Sequence, residues 1–512
     1  MSDSTASGPA YCPASSRPYV LVSAILASSM GFIDGSVVSL AMPVIRRDLD
    51  ASLIDAQWIS NAYMLFLAAL VLLGGAAGDV FGIRKIFVAG IAFFVVTSVG
   101  CALATSAEML IGMRAAQGIG AAFMVPSSLA IIAKSYPPDI RGKAIGQWAA
   151  FSSLTTALGP FVGGVVLSIG ADWVWRLVFA INLPIGALAL WMLLAKVPDD
   201  RPAQHRRLDW PGAALATGGL GFIAWGLTDF GIAPESRVAS PWLWVFIGVA
   251  LFAVFIAWER RAAEPMVKLG LFASRAFSGA NLYTLVLYFG FTAVLFFLPM
   301  TVVSAWGVPE WQVSLVFLPL SASIALFSSA AGRLADRIGP RLPLTLGAAI
   351  VCVAYTGLTL SFNAMQLWTV TFPFLVLSGI GMACLVSPLS TAVMMATPDQ
   401  DTGLASGINN AVARAAGLLA VAGLGAIAGI VFGAIAGTQV PGVEFGGLLV
   451  QPLDPAAETL RIAATNNAFQ AVAGAAAVMA LIAALLAWTT QPSWPAKPEA
   501  LSKAAADAGE MP

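Results

Sequence analysis

Long apolar runs alternate with short breaks of charged, proline or glycine residues along the whole chain. Each run is close to the ~20 residues that a helix needs to cross the hydrocarbon core of a bilayer. Counting the runs predicts fourteen spans, which begin near residues 19, 56, 84, 108, 142, 174, 210, 240, 276, 311, 340, 367, 402 and 467. The pattern therefore predicts an all-α integral membrane protein.

The composition supports this class and excludes others. Of the 512 residues, 59% are hydrophobic and 10% are charged, whereas soluble domains carry about 25% charged residues. The net charge of zero gives no reason to expect a nucleic-acid partner. The four cysteines lack metal-ligand or disulfide spacing, and we expect no metal and no cofactor. A membrane enzyme would need clustered His, Cys or carboxylates at membrane depth, so we expect no enzyme.

The distribution of Lys and Arg predicts the orientation. An even number of spans puts both termini on one side, and cytoplasmic loops carry the excess of positive charge. With cytoplasmic termini, 19 of the 26 Lys and Arg residues fall inside, and five fall outside: Arg46, Arg47, Arg176, Arg237 and Arg461. We therefore expect a multi-pass protein of the plasma (inner) membrane, in contact with the lipid bilayer, with cytoplasmic tails at residues 1–18 and 491–512.

One frame, Gly-x-x-x-Asp-x-x-Gly, occurs twice, as GAAGDVFG at 75–82 and as GRLADRIG at 332–339, 257 residues apart. Spans 1 and 9 begin 257 residues apart as well. The sequence thus predicts a six-helix bundle over 19–197, two inserted helices with their loops over 198–275, and a second six-helix bundle over 276–490. Such parallel repeats recur in transporters, with the substrate path at their interface.

The two frames are candidates for a conformational contact. Their glycines allow close helix approach, and an aspartate can cap a helix N-terminus or pair with an arginine. A plain turn explains one copy, but two copies at equivalent positions favour a gating role. The first copy has Val80 in place of the arginine of the second, which predicts a thinner charge network there. The gating candidates are Gly75, Asp79, Gly82 and Arg84, and Gly332, Asp336, Arg337 and Gly339.

Three charged residues fall within predicted spans, which marks them as functional candidates. At 1.5 Å per residue, Asp34 lies about 22 Å from the inner surface and Arg114 about 9 Å from the outer surface. In a core about 30 Å thick the two share a depth, so they can pair directly or through water. Burial favours the protonated form of an aspartate, and a nearby guanidinium favours its ionised form. Small movements of Arg114 would therefore make Asp34 take up or release a proton. A static ion pair is the alternative.

The third charge, Arg414 in span 13, lies about 18 Å from the cytoplasm, near the midplane. A role in proton coupling and a role in helix packing are left equally open for Arg414.

In span 5, the stretch TTALGPFVGG holds Gly159, Pro160, Gly163 and Gly164. The proline removes a backbone hydrogen bond and kinks the helix, while the glycines permit tight packing. A generic packing face is the alternative here.

Taken together, these features resemble the major facilitator superfamily, and within it the fourteen-helix drug:proton antiporters. The second frame matches the signature Gly-x-Leu-Ala-Asp-Arg-x-Gly in full, and Arg114, Gln117 and Gly118 match the Arg-x-x-Gln-Gly signature. Span 5 is similar to the stretch of members that exchange substrate against protons, although Thr155 replaces a usual glycine. Trp175–Gly186 and Trp258–Leu269 resemble stretches of the fourteen-helix group.

The resemblance implies a major facilitator fold and proton-coupled antiport, with proton coupling at Asp34, Arg114 and Arg414. We expect export of small, largely apolar or aromatic compounds, as in multidrug efflux. The alternatives are export of an endogenous lipid or secondary metabolite, and passive passage of a metabolite. Whether a periplasmic adaptor protein is a partner is left open. The candidate cavity residues are Trp58, Tyr63, Phe66, Gln117, Phe123, Met124, Tyr283, Tyr288 and Phe296.

Overall fold

The computed structural model describes residues 12–200, 207–232, 235, 237–440, 442–449 and 451–493, and these residues form helices, turns and loops without a strand. Helices occur at all fourteen predicted positions. They are α1 (Arg17–Leu49), α2 (Leu53–Phe81), α3 (Ile83–Ala102), α4 (Ala107–Ser135), α5 (Pro138–Leu167), α6 (Asp172–Lys196, in short segments), α7 (Trp210–Asp229), α8 (Pro241–Glu259), α9 (Arg275–Trp306), α10 (Glu310–Ile338), α11 (Arg341–Ser361), α12 (Leu367–Met395), α13 (Thr402–Ala436) and α14 (Pro455–Thr490).

Within the described residues, twelve of these helices are long and apolar enough to cross a membrane. The other two are α5, which begins with Asp139, Arg141 and Lys143, and α7, which is rich in glycine. The helices are thus those of a multi-pass membrane protein, and the count of fourteen crossings stays a prediction. The predicted tails lie largely outside the described residues.

Local sequence explains where the helices begin. Ser52 caps α2 in a reciprocal capping box with Asp55, and Asp454 accepts hydrogen bonds from the first backbone N–H groups of α14. Both side chains satisfy donors that a helix N-terminus leaves free. Between α2 and α3 the chain turns at Gly82, whose φ of 99° favours glycine.

The six helices α1–α6 and the six helices α9–α14 repeat the same packing. In the first group α2 packs on α4, α3 on α4 and α6, and α1 on α5 and α6. The second group repeats these pairs as α10 on α12, α11 on α12 and α14, and α9 on α13 and α14. The groups meet mainly through α2 with α13, α5 with α10, and α1 with α9. The boundaries of the two predicted bundles stay a prediction.

The inserted helices α7 and α8 pack tightly on each other. A Cβ atom on Gly248 of α8 would lie 2.6 Å from the backbone nitrogen of Ile223 in α7, so only glycine permits this approach. On its other side α7 packs against α2 and α13. The inserted pair therefore covers one of the seams between the two six-helix groups.

One sequence-based boundary is corrected. The apolar pattern places the start of the last span near residue 467 and so predicts a long loop over about 434–466, whose end forms a surface helix leading into that span. In the structure α13 continues to Ala436 and α14 begins at Pro455, so the loop is shorter and α14 is one continuous helix. The polar start of α14 is stabilised within the helix, since Glu458 and Arg461 form an ion pair one turn apart.

The helix ends define two opposite faces of the molecule. The terminal face carries the start of α1 at Arg17 and the end of α14 at Thr490, and the far face is opposite. Odd-numbered helices run from the terminal face to the far face in each group of six.

Candidate transport site

Asp34 of α1 and Arg114 of α4 form a buried ion pair. The Arg114 Nη1 atom lies 2.6 Å from Asp34 Oδ2, and the two side chains are 0% and 2% exposed. The direct pairing agrees with the common depth expected from helix geometry. Removing one partner of such a pair leaves an uncompensated buried charge and costs about 3–5 kcal/mol.

Gln117 joins this pair from the next turn of α4. Its Nε2 atom donates to Asp34 Oδ1 at 3.2 Å and to Ser98 Oγ at 2.7 Å, while its Oε1 atom accepts from Arg114 Nη1 at 2.6 Å. Asn182 of α6 donates to the same Ser98 hydroxyl at 3.2 Å. The network therefore ties α1, α3, α4 and α6 together around one carboxylate.

Arg114 keeps other contacts besides Asp34. Its Nε atom donates to the carbonyl of Ile59 at 3.1 Å, and its guanidinium carbon lies 4.3 Å from the centre of the Tyr63 ring. Cation–π contacts of this kind contribute about 0.5–2 kcal/mol. These contacts would hold Arg114 in place when Asp34 is neutral.

Arg414 lies on the other side of the seam between α2 and α13. It is half-buried, and within the described residues it forms no hydrogen bond or ion pair, although its charge acts on Tyr63 and Tyr288. One turn earlier in α13, Asn409 donates to Thr284 at 2.7 Å and to Asn281 at 3.3 Å. Arg414 thus lies near the Asp34–Arg114 pair without touching it.

A cavity of about 390 Å³ lies between the two six-helix groups. Its walls are apolar with a few hydroxyl groups, contributed by α1, α5, α9 and α10. The lining residues are Phe32, Gly35, Ser36, Ser39, Leu40, Trp148, Ala149, Ser152, Pro160, Phe291, Leu295, Pro299, Phe317, Leu320, Ser321 and Ile324. Asp34 precedes the lining residue Gly35, but its own side chain is turned into the first group of helices.

None of the expected cavity residues lines this cavity. Trp58 and Phe66 line a different groove, beside α7. Tyr283 is fully buried in the second group, where its hydroxyl donates to the carbonyl of Leu344 at 2.9 Å. The others lie in the packed interior or beside the cavity: Tyr63, Gln117, Met124 and Phe296 are buried, and Phe123 and Tyr288 are half-buried.

The Gly-Pro stretch of α5 builds two different contacts. A Cβ atom on Gly163 would lie 2.2 Å from Val37 Cγ1, and one on Gly159 would lie 3.1 Å from Ser36 Oγ, so both glycines seat α5 on α1. A Cβ atom on Gly164 would lie 2.4 Å from Ser314 Oγ of α10, in the other six-helix group. Pro160 lines the cavity. This stretch therefore sits where the groups meet.

The first Gly-x-x-x-Asp-x-x-Gly copy lies in a charged network at the terminal face. Asp200, after α6, accepts from the backbone N–H groups of Ile83 and Arg84 at 2.9 and 3.0 Å and from Lys134 Nζ at 2.8 Å. The Arg84 side chain pairs with Asp199. Partial burial raises the pKa of Asp200, but the hydrogen bonds from Lys134 and the two backbone groups outweigh it and hold this pKa below its ordinary value.

The second copy differs. Its Gly332 is packed so closely that a Cβ atom would lie 2.4 Å from Ser387 Oγ, but Asp336 and Arg337 are exposed and form no ion pair with the described residues. The expectation of a thinner network in the first copy is thus corrected. The cause lies after the sixth helix of each group, where α6 is followed by Asp199 and Asp200 and α14 by Gln491.

At the far face the two groups are joined by Arg46 of α1. Its guanidinium donates to Glu444 Oε2 at 2.9 Å and to the carbonyl of Phe445 at 2.7 Å, both in the loop between α13 and α14. Glu444 also accepts from the backbone N–H of Leu53. Together with Gly164 against Ser314, this contact closes the cavity towards the far face.

Towards the terminal face α5 and α10 are less covered. Phe151 of α5 and Phe327 of α10 are 53% and 54% exposed, and a Cβ atom on Gly146 would meet nothing within 4 Å. The cavity lies on the terminal-face side of the Gly164–Ser314 contact. Its lining reaches Trp148, towards the terminal-face end of α5.

Sequence reasoning missed the hydroxyl groups of the cavity and the two acids after α6. Ser36 and Ser39, three residues apart on α1, are a polar stripe that could have been recognised. Asp199 and Asp200 lie in a loop without hydrophobic periodicity. The only signal for them in the sequence was their negative charge in a largely apolar chain.

Two similarly packed groups of six helices, with a cavity between them and a buried ion pair beside it, form an architecture that recurs in membrane transporters. The sequence model of the Major Facilitator Superfamily matches residues 24–421 and 280–509. The chain belongs to this superfamily, whose members move small molecules across membranes.

Several relatives of this chain are named for resistance or export. The chain is 31% identical to the tetracenomycin C resistance and export protein of Streptomyces glaucescens over 82% of this chain and 78% of the relative. It is 33% identical to the puromycin resistance protein of Streptomyces alboniger over 79% and 80%. It is 30% identical to a multidrug resistance protein of Mycobacterium tuberculosis (strain CDC 1551 / Oshkosh) over 80% and 75%.

Solved structures support the fold. A bacterial homologue of the human lysosomal transporter Spinster, in an inward-facing and occupied conformation, matches with a TM-score of 0.66 and 19% identity, over 93% of this chain and 96% of that one. A D-xylose–proton symporter matches with a TM-score of 0.64 and 17% identity, over 93% and 98%. At these identities the likeness concerns the fold alone.

Proposed function

We propose that this protein is a proton-coupled antiporter that exports small, largely apolar or aromatic compounds by alternating access. The observation that carries the proposal is the buried Asp34–Arg114 pair beside a mainly apolar cavity between the six-helix groups. An acid inside a membrane protein is costly unless it is paired or protonated. Asp34 is thus the group best placed to exchange a proton.

Proton exchange at Asp34 would act through Arg114. When Asp34 is ionised, the pair and Gln117 hold α1 against α4. When Asp34 takes a proton, the charge attraction is lost, while Arg114 keeps the Ile59 carbonyl and the Tyr63 ring. α1 is then free to move relative to α4, and α1 also forms part of the cavity wall and carries Arg46. Protonation and rearrangement of the cavity are coupled in this way.

The charge distribution supports an orientation with the terminal face in the cytoplasm, in the inner membrane. The terminal-face network contains Arg84 and Lys134, as the positive-inside rule expects for cytoplasmic loops. In that orientation the cavity takes cargo from the cytoplasm. One proton moving down about 150 mV supplies roughly 3.5 kcal/mol, enough for a gradient of a few hundredfold.

The proposal on cargo rests on the cavity and on the relatives. Its described wall residues combine the aromatic rings of Phe32, Trp148, Phe291 and Phe317 with serine hydroxyls and include no acid, which suits neutral or weakly charged aromatic compounds. The named relatives include resistance proteins for tetracenomycin C and puromycin. The name of another relative, a probable actinorhodin transporter, favours export of an endogenous secondary metabolite as the second candidate.

A susceptibility screen tests the proposal. Cells with and without the gene are compared on puromycin, tetracenomycin C and ethidium, with and without a protonophore, and exported metabolites are profiled in parallel. Protection that the protonophore abolishes is expected. Protection that persists would indicate export driven by another energy source and would contradict proton coupling. An exported metabolite without any protection would favour the second candidate.

A further inference from the structure

A second recess lies outside the cavity, where the inserted helix α7 meets α2 and α4. Its volume is about 670 Å³, within the range of sites for drug-sized molecules. Trp58, Phe66, Phe222 and Trp225 form much of its wall. The ring centres of Trp58 and Trp225 are 5.4 Å apart, and Trp225 is 51% exposed at the surface of the helices. We call this recess the α7 groove.

Two polar side chains at the end of α7 belong to this groove. Thr228 and Asp229 line it and are 2% and 6% exposed. The Thr228 hydroxyl and the Asp229 Oδ2 atom are buried and have no hydrogen-bond partner within the described residues. A buried polar atom without a partner costs about 1–3 kcal/mol, and more when the group is charged. One oxygen of the Asp229 carboxylate and the Thr228 hydroxyl thus lack a partner beside an aromatic recess.

The other charged groups near the groove limit what can bind there. Asp55 also lines it, but its carboxylate is used by the capping box of α2. Arg237 donates to the carbonyls of Phe230 and Ile232 and forms no ion pair with Asp229, although its charge reaches that carboxylate. Within the described residues, the groove wall therefore offers carboxylates for a positive charge and no Lys or Arg for an anion.

We propose that the α7 groove binds a lipophilic monovalent cation, with its charge at Asp229 and its rings or alkyl groups against Trp58 and Trp225. A carboxylate attracts such a cation strongly outside water, and tryptophan faces add a cation–π contribution. A zwitterionic lipid fits less well, because its phosphate would meet Asp55 and Asp229. Because Trp225 is exposed at the surface of the helices, we expect the cation to enter from the bilayer. This binding does not depend on the transport function proposed above.

Photo-crosslinking locates the site directly. The full-length protein, in nanodiscs at pH 8, is irradiated with an aryl-azide derivative of tetraphenylphosphonium, and modified peptides are identified by mass spectrometry. We expect modification of the peptides around Trp58–Phe66 and Gly218–Thr228 that unlabelled tetraphenylphosphonium prevents. Neutral triphenylphosphine oxide should compete roughly tenfold less well. Modification confined to α1, α5, α9 and α10 would overturn the proposal.

Matched variants separate charge from folding. Asp229→Asn should lower crosslinking in the groove and weaken tetraphenylphosphonium binding there roughly tenfold. Glu235→Gln, which changes an exposed acid in the loop after α7, should change neither. Trp225→Leu should weaken binding with the carboxylate intact. Equal binding by Asp229→Asn and wild type overturns the proposal. Competition by phosphatidylcholine, but not by excess tetraphenylphosphonium, would also overturn it and make the groove a lipid site.

Discussion

The guanidinium of Arg46 lies 2.9 Å from the carboxylate of Glu444 and so joins the α1–α6 group to the loop between α13 and α14. Arg46 is 6% exposed, while Glu444 is 52% exposed. Opening the cavity towards the far face requires this pair to separate. The pair therefore contributes to the balance between the closed far face and an open one.

Glu444→Gln should shift that balance towards opening. Because Glu444 is half exposed, the ion pair stabilises the closed far face by about 1 kcal/mol, so its loss should change the closed-to-open population ratio roughly fivefold. A cysteine at Ser39, in the cavity wall, reports it through labelling with an impermeant thiol reagent from the far face, in a background without native cysteines. Glu458→Gln is the control, because Glu458 pairs within its own helix. An equal labelling rate in both variants would contradict this role.

Gly164→Ala should impair closure of the far face. Its new Cβ atom would overlap Ser314 Oγ at 2.4 Å and the Glu310 carbonyl at 2.9 Å. We expect slower transport at normal protein levels, with partial recovery in the double variant with Ser314→Gly. Gly146→Ala, on the same helix with nothing within 4 Å, should behave as wild type. Normal transport by Gly164→Ala would show that this contact is dispensable.

Asp200→Ala should destabilise the terminal face, because the carboxylate caps α3 and binds Lys134. The expected loss is about 1–2 kcal/mol, measured by thermal unfolding in detergent. The Asp199→Ala control removes an acid that is 63% exposed and should have a small effect. Because the pKa of Asp200 is lowered by folding, its contribution is present above the ordinary carboxyl pKa and is lost as the pH falls through the lowered pKa. An equal loss in both variants would contradict the capping role.

Features set by helix geometry were the ones that the sequence predicted best. The constant rise per residue sufficed to bring Asp34 and Arg114 to one depth, and the apolar runs located every helix. The cavity was predicted poorly, because a membrane helix is apolar on its lipid face and on its packed face alike. Trp58 and Tyr283 were therefore assigned to a cavity that they do not line.

The charge of the cargo is limited by the scarcity of acids. In the described part of the chain, the residues that line the cavity include no acid, and Asp34 can neutralise one positive charge only. Asp229 faces a separate groove. We expect protection against neutral and monovalent aromatic compounds and little against bis-quaternary compounds of similar hydrophobicity, in paired susceptibility assays. Equal protection against the divalent compound would require a second acid on the path.

The central claim is that Asp34 carries the proton that is exchanged for cargo. The direct measurement uses proteoliposomes with an imposed pH gradient, in which accumulation of ethidium and the accompanying proton flux are recorded together. Asp34→Asn, which mimics the protonated acid, should still bind ethidium but lose concentrative uptake and ethidium-driven proton release. Asp48→Asn, an acid of the same helix that pairs with Arg176, should retain both. Full concentrative uptake with proton release by Asp34→Asn would contradict the account.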